Sequence, residues 1–449
     1  MIEGKANNIS LVLTYPDLLQ RLTQSQGLTR IPKRNPFPFE VLLRRSLPGV
    51  LLLFQSLGPS QSSPLETPKS VALNPVAAVT FDFRRIDDLV EPHIAARETP
   101  GAVVLFGHQT ETLFLKAYGW RSLEPEREKL SVNTIFDLAS LTKVIATTPA
   151  IMMLYEQGKL ALTDPITKYI PEFGRNKKKR ITIQDLLTHY SGLPPDLKLS
   201  KRRKIPSQSL LTKIYQVRPV CAPGQRFIYS DLGFVILGKI VERVSGQSLD
   251  RFVRVHLLQP LAMDSSGFLP KPADKCYIAP TERLSDGSIL RGQVHDPLAS
   301  RLGGVAGDAG VFSTAGDLAK FCEMMLREGL TDKGRILRKE TVAKMTSVQS
   351  PAGKPNLRGL GWDIQSTYSS VKGNFFSALS YGHTGFTGTS IWIDPSSQTY
   401  LIILTNRVHP DGGGNVKGLR SELADFVGRL FATPVTVEQQ QLTKTEPKN

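Results

Sequence analysis

Cysteine is scarce in this 449-residue chain, with Cys221, Cys276 and Cys322 its only examples. An odd, widely spaced set gives neither a disulfide framework nor metal-ligand spacing. At most one pair can bridge, so cysteine leaves the redox compartment open. Cys221 is near Tyr229 in sequence, but its neighbours do not mark it as a catalytic thiol. Acidic residues are also short, 40 Asp and Glu against 56 Lys and Arg, for a net charge of +16. There is no zinc spacing, phosphate loop or dinucleotide fingerprint, so no cofactor is expected. No apolar run approaches the roughly 20 residues that a membrane-spanning helix needs.

The longest apolar run is 47–57, interrupted by Pro48, Gly49, Gln55 and Ser56. Arg44 and Arg45 precede it, and a Gly/Pro/Ser/Gln stretch follows. Residues 44–58 therefore resemble a secretory signal displaced from the N-terminus, with translation starting near residue 40. The other reading is a leader with a chance apolar patch. A periplasmic or secreted protein is expected, with the cytoplasm as the alternative.

The surplus positive charge is concentrated in Arg-Asn-Lys-Lys-Lys-Arg at 175–180 and Lys-Arg-Arg-Lys at 201–204. Such runs are ordinarily solvated faces, and they can also grip an anionic cell-wall polymer. No nucleic-acid module accompanies them, so nucleic acid is not an expected partner.

Residues 1–78 lack sustained periodicity and are read as leader and linker. A domain over 79–432 follows, then a polar, disordered tail over 433–449. Within the domain, 86–96 reads as an amphipathic helix, and 101–107 and 112–118 as a hairpin turning at His108-Gln109-Thr110. Residues 140–157 read as the central helix, with a kink or break at Pro149. Further helices fall at 181–187, 232–244, 249–258 and 419–431, and another follows the glycine-rich loop 303–310 with Asp317 near its start. Strands 390–393 and 399–405 pair around Asp394-Pro395-Ser396-Ser397. Strands at both ends with helices between do not make a βαβ series. The class is mixed α/β (α+β), with an antiparallel sheet built from both chain ends and a mainly helical region inserted.

Three short stretches carry chemistry. In Ser140-Leu141-Thr142-Lys143 the hydroxyl and amine share a helix face at i and i+3. A partly desolvated amine can give up its proton and activate the serine. In Tyr229-Ser230-Asp231, a phenol precedes an apolar helix that Ser230 or Asp231 can cap. It can shuttle a proton if a nearby cation lowers its pKa. In His383-Thr384-Gly385-Phe386, small residues let a substrate backbone lie along a strand edge, and His383 and Thr384 can meet a carboxylate or leaving group. His189 and His295 sit by glycine- or proline-containing loops, where they can border the cleft, and both are read as structural.

In this order and spacing, S-x-x-K, Y-S-D and H-T-G resemble the serine β-lactamase-like and penicillin-binding superfamily. The similarity is to the branch of class C β-lactamases, DD-peptidases and family VIII esterases. It covers about 80–432 and includes Phe136-Asp137-Leu138-Ala139-Ser140, ITIQDLLTHYSGLP, PGQRFIYSDLGFVILG and GGVAGDAGVFST. The resemblance implies a β-lactamase/transpeptidase-like fold. It gives Ser140 the part of acylated nucleophile, Lys143 that of proton-sharing amine and Tyr229 that of general base. Backbone N–H groups of Ser140 and Phe386 would form the oxyanion hole, and His383, Thr384 and Gly385 would line the substrate strand. Two positions depart from the pattern. Asp231 stands where many members have asparagine, and it can hold Lys143 as an ammonium or cap the helix. His383 stands where β-lactamases usually have lysine. The expectation is a serine hydrolase working through an acyl-enzyme on an ester or amide carbonyl. Its candidate substrates are short-acyl esters and D-amino-acid peptides of peptidoglycan, with β-lactams incidental. A binding protein that senses or holds cell-wall fragments without hydrolysis is the alternative.

Overall fold

The computed structural model describes residues 10–11, 79–80, 82–197 and 206–431. The 44–58 run, the 201–204 basic run and the 433–449 tail lie outside the described residues. The chain divides into two units, Met1–Asp82 and Phe83–Asn449. In the first, Ser10–Leu11 pairs antiparallel with Val79–Thr80.

The second unit is built on an eight-stranded antiparallel sheet that draws strands from both ends of the chain. From the N-terminal side come β1 (Gly101–His108), β2 (Glu111–Ser122) and β3 (Glu128–Lys129). A smaller three-stranded sheet is formed by β4 (Phe136–Asp137), β5 (Gly267–Phe268) and β6 (Val311–Ser313). The C-terminal part adds β7 (Leu357–Arg358), β8 (Asp363–Gln365), β9 (Tyr381–Thr384), β10 (Ser390–Asp394) and β11 (Thr399–Thr405). The order in the large sheet is β7-β8-β9-β10-β11-β1-β2-β3. β11 runs beside β1 with Thr405 opposite Ala102 and Thr399 opposite His108, which joins the two ends of the unit at the sheet centre.

β1 and β11 are buried at every position. Successive strand residues face opposite ways, so both faces of the sheet centre must be covered. Helices Ala315–Leu326 and Lys417–Phe431 pack against this part of the sheet. The N-terminal helix, α1 (Arg85–Ala95), packs against β2 and the C-terminal helix.

The central stretch is not one helix. It runs as a 3₁₀ turn (Ala139–Leu141), a π-helical segment (Lys143–Thr147) and then α2 (Thr148–Glu156). Pro149 explains the seam, because it lies in the first turn of α2, where a missing N–H costs least. The i, i+3 relation of Ser140 and Lys143 therefore spans a 3₁₀–π junction. Residues 249–258 split in the same way, into an α-helix (Leu249–Val253) and a π segment (Arg254–Leu258). Helix α3 (Ile183–Leu187) starts with a capping box in which Thr182 accepts from the Asp185 N–H and Asp185 accepts from the Thr182 N–H. α4 (Asp231–Ser245) is capped by the Ser230 hydroxyl and ends at Gly246, whose φ is +70°.

The basic run 175–180 is not uniformly a solvated face. Arg175, Lys177, Lys179 and Arg180 are exposed, but Lys178 is buried. Its ammonium donates to the carbonyls of Tyr215 and Val217 and lies 4.4 Å from the centre of the Phe173 ring. Burial pulls its pKa down to about 8.

Candidate active site

Ser140 is presented by a strained turn. Ala139 has φ +46°, a conformation that costs a residue bearing a Cβ. Asp137 holds the turn, its buried carboxylate accepting from the N–H groups of Ala139 (2.9 Å) and His295 (2.7 Å). The Leu138 N–H donates to the Val311 carbonyl, which ties the turn to the small sheet.

Lys143 is wholly buried. Its Nζ donates to Ser140 Oγ at 3.0 Å and to the Asp308 carbonyl at 3.0 Å, and pairs with Asp231 Oδ1 at 2.7 Å. Tyr229 lies beside them, its ring centre 5.2 Å from Lys143 Nζ, and it lines the same pocket as Ser140. The folded chain thus brings Ser140, Lys143, Tyr229 and Asp231 into one cluster, although they come from two stretches about 90 residues apart.

The charge states differ from the sequence expectation. Burial works against the Lys143 ammonium, but Asp231, Tyr229 and Asp308 outweigh it and raise its pKa. The amine does not surrender its proton at rest. Burial raises the Tyr229 pKa, Lys143 lowers it, Asp231 raises it again, and the net shift is upward. The expected cationic lowering of the phenol exists but is outweighed. Asp231 takes the first of its two expected roles, as partner of the Lys143 ammonium, because Ser230 provides the helix cap.

His383 and Thr384 lie on β9, opposite Ile391 and Ser390 of β10. Burial, followed by Arg358 and Lys143, holds the His383 imidazole well below its usual pKa and keeps it neutral. Its Nδ1 lies 2.9 Å from the Thr384 carbonyl, which can only accept, so Nδ1 carries the proton. Nε2 is then a lone-pair acceptor, without a hydrogen-bond partner among the described residues. The expected contact of His383 with a carboxylate is therefore disfavoured, because an acceptor faces an acceptor.

Gly385 serves the protein before any substrate. A Cβ there would overlap the Thr389 hydroxyl and the Leu138 carbonyl. The same seam is bonded by Thr387 Oγ1 to the Asp137 carbonyl (2.7 Å) and Thr389 Oγ1 to the Leu138 carbonyl (3.0 Å). The buried Arg420 of the C-terminal helix donates to the carbonyls of Gly385 (3.2 Å) and Thr389 (2.8 Å). Gly385→Ala is expected to destabilise the fold by about 1–3 kcal/mol through overpacking. Urea unfolding checks this, and an unchanged midpoint would refute the close approach.

A pocket of about 700 Å³ opens on these groups. Ser140, Tyr229, Asp231, His383, Thr384, Gly385 and Phe386 all line it. Phe386 is 60% exposed, stacks on His295 at 5.6 Å and lies under the Arg407 guanidinium at 4.6 Å. His295 borders the cleft and pairs with Glu282 at 3.0 Å. Arg358, Asp363, Trp392 and Arg420 line the pocket too, and no local pattern in the sequence singles them out. The GGVAGDAG loop was one signal available for Asp308, whose part here is played by its carbonyl. Among the described residues no cluster of His, Cys, Asp and Glu is arranged to hold a metal, and no helix is long and apolar enough to cross a membrane.

Comparison with known proteins agrees with this geometry. A family model described as Beta-lactamase matches residues 86–425. A curated Salmonella typhimurium protein named "Putative D-alanyl-D-alanine carboxypeptidase" is 35% identical over 328 residues, covering 66% of this chain and 74% of that protein. The octameric penicillin-binding protein homologue from Pyrococcus abyssi matches with a TM-score of 0.61 at 25% identity, over 82% of each chain. EstCE1, a hydrolase with promiscuous acyltransferase activity, shares the fold with a TM-score of 0.62 at 22% identity, covering 76% of this chain and 98% of its own. The eight-stranded antiparallel sheet drawn from both chain ends and its flanking helices are thus those of a β-lactamase/transpeptidase-like fold, and the chain belongs to the beta-lactamase family of serine hydrolases.

Proposed function

We propose that this protein hydrolyses an ester or amide carbonyl through an acyl-enzyme on Ser140, with D-amino-acid peptides of the peptidoglycan type as the leading substrate class. One observation carries the reading: Lys143 Nζ stands 3.0 Å from Ser140 Oγ while it is paired to Asp231 at 2.7 Å. The name of the curated relative supports the peptide class. Such substrates lie outside the cytoplasm, which favours a periplasmic or secreted enzyme. The exposed residues of the 175–180 run would serve anionic wall polymer there.

At rest the cluster holds a Lys143 ammonium, an Asp231 carboxylate and a neutral Tyr229 phenol. The active fraction is the one in which Tyr229 is ionised beside the ammonium. Ser140 Oγ bonds to the carbonyl carbon as its proton passes to the phenolate. The tetrahedral oxyanion is held by the N–H groups of Ser140 and Phe386. Its collapse breaks the bond to the leaving group, which takes the proton from Tyr229. A water then attacks the acyl-enzyme as its proton passes to the Tyr229 phenolate, and collapse of the second tetrahedral species breaks the bond to Ser140 Oγ, which takes that proton back from Tyr229 as the acid leaves. Oxyanion donors of this kind are each worth about 3 kcal/mol of barrier.

This charge assignment predicts a pH effect. Asp231 raises the pKa of both Lys143 and Tyr229. Asp231→Asn lowers both, so ionised Tyr229 appears, and the ammonium disappears, at lower pH. The whole pH–rate profile is expected to move to lower pH by about one unit or more. A profile that stays in place, or moves to higher pH, would remove Asp231 from this role.

His383→Lys puts an amine that donates hydrogen bonds, and is cationic when protonated, where a neutral acceptor now stands, so penicillin acylation should become faster. Unchanged or slower acylation would place the antibiotic carboxylate elsewhere.

The function itself is tested with a panel of p-nitrophenyl esters, D-Ala-D-Ala peptides and nitrocefin, followed by intact-mass detection and mapping of an adduct. An adduct on Ser140 with turnover of esters or D-peptides supports the proposal. A folded protein that forms no adduct with any of them overturns it, and the non-hydrolytic binding role would then stand.

A further inference from the structure

His189, within the ITIQDLLTHYSGLP stretch, is a buried imidazole that contacts Tyr229 and the residues on either side of it. Its Nδ1 accepts from the Ser230 N–H at 3.0 Å. Its carbonyl accepts from the Ile228 N–H at 3.0 Å. Its ring stacks on the Tyr229 ring, with centroids 4.4 Å apart and planes at 28°. The residues before and after the tyrosine, and the phenol face itself, are therefore all fixed by one side chain and its own peptide. Phe234 of α4 packs against the imidazole at 5.1 Å, and Phe227 at 6.1 Å.

This arrangement has a cost that core packing alone does not explain. His189 has φ +60°, which a non-glycine residue adopts at some expense. With Nδ1 accepting, Nε2 carries the proton, and it has no hydrogen-bond partner among the described residues. A buried, idle N–H is destabilising, and a phenylalanine would fill the space without it. What only histidine supplies here is a flat face for the phenol together with an acceptor for the Ser230 N–H. Burial, then Arg358, Lys143 and His383, keep the ring neutral, so it presents no added charge to the phenol.

We infer that His189 is a positioning residue for Tyr229, holding the phenol at the Ser140–Lys143 pair through stacking and the Nδ1 bond to the Ser230 N–H. This rests on the proposed role of Tyr229 as proton acceptor. Small misplacements of a reacting group are costly, of the order of a hundredfold per ångström.

The test is a double-mutant cycle on the full chain, read as kcat and KM for a p-nitrophenyl ester, with thermal unfolding of every variant. His189→Phe keeps the stack and loses the acceptor. His189→Asn keeps an acceptor close to the Nδ1 position. His189→Phe is expected to lower kcat at least about tenfold with KM little changed. His189→Asn should restore most of that loss. In a Tyr229→Phe background, His189→Phe should cost almost nothing further. Wild-type kcat in His189→Phe, or the same fold-loss in both backgrounds, would overturn the inference. If His189→Phe does not fold, His189→Gln replaces it, since its amide reaches the Nε2 position and not Nδ1. Tyr229→Phe alone separates the two levels: near-wild-type turnover defeats the proton-acceptor reading, whereas a slow Tyr229→Phe with additive His189 effects defeats only the positioning role.

Discussion

Replacing Ser140 with alanine is expected to eliminate the covalent adduct and lower kcat by about 10⁴-fold or more. The loss should be confined to chemistry. Ser140 Oγ is one of several partners of Lys143, which keeps its ion pair to Asp231 and its bond to the Asp308 carbonyl. The turn that presents residue 140 is held by Asp137, Val311 and the β9–β10 seam, none of which uses the serine hydroxyl. The variant should therefore unfold within a few degrees of wild type and still bind substrate. Mass spectrometry of the trapped acyl-enzyme and steady-state kinetics check both halves. An adduct mapped to another residue, or a kcat within tenfold of wild type, would move the nucleophile away from Ser140.

Lys143→Met should damage both activity and stability. Methionine keeps much of the apolar volume but removes the cation from Asp231, the donor from the Asp308 carbonyl and the ammonium beside Tyr229. We expect kcat to fall by at least about a hundredfold, the range for an acid–base group. Breaking a buried pair typically costs about 3–5 kcal/mol. The cost here should lie at or below the low end, because the Asp231 side chain is 28% exposed and water can reach it. The pH dependence follows from the signs. In wild type the raised Lys143 pKa gives stability that is fully present below the ordinary lysine range and lost only as pH rises through the folded value. In Lys143→Met, Asp231 loses its cation and the fully buried Asp308 carboxyl, already pushed up by burial and by Asp296, loses a cation that opposes that rise. Protonation of Asp308 relieves part of the defect, so the stability gap to wild type should narrow as pH falls. Urea unfolding at about pH 5 and pH 8 tests this, and an equal gap at both would count against the charge assignment.

Much of this was legible in the sequence, for reasons particular residues make clear. The hairpin at β1 and β2 and the pairing of β10 with β11 follow from apolar runs broken by turn residues. The helix after Tyr229 has its cap, Ser230, and its terminator, Gly246, in plain view. The 140–157 stretch was harder to read. Periodicity announced a helix and Pro149 a break, but the 3₁₀–π–α partition turns on which carbonyl each N–H reaches, which the residue pattern does not record. The small sheet itself was missed, since strands of two or three residues leave almost no periodic trace.

The sequence by itself determined which chemical groups were available: a hydroxyl and an amine three residues apart, a phenol before a helix, a glycine at a strand end, and no metal-ligand spacing in the motifs read. Only the tertiary structure decided what those groups do. Whether Lys143 keeps its proton depends on Asp231 and Asp308 reaching it from elements 88 and 165 residues away in the chain, and whether His383 donates or accepts depends on its burial beside Arg358 and on the Thr384 carbonyl. Residue identity fixes a functional group, but its protonation and hydrogen-bond polarity are set by dielectric and by neighbours, and folding alone supplies those neighbours.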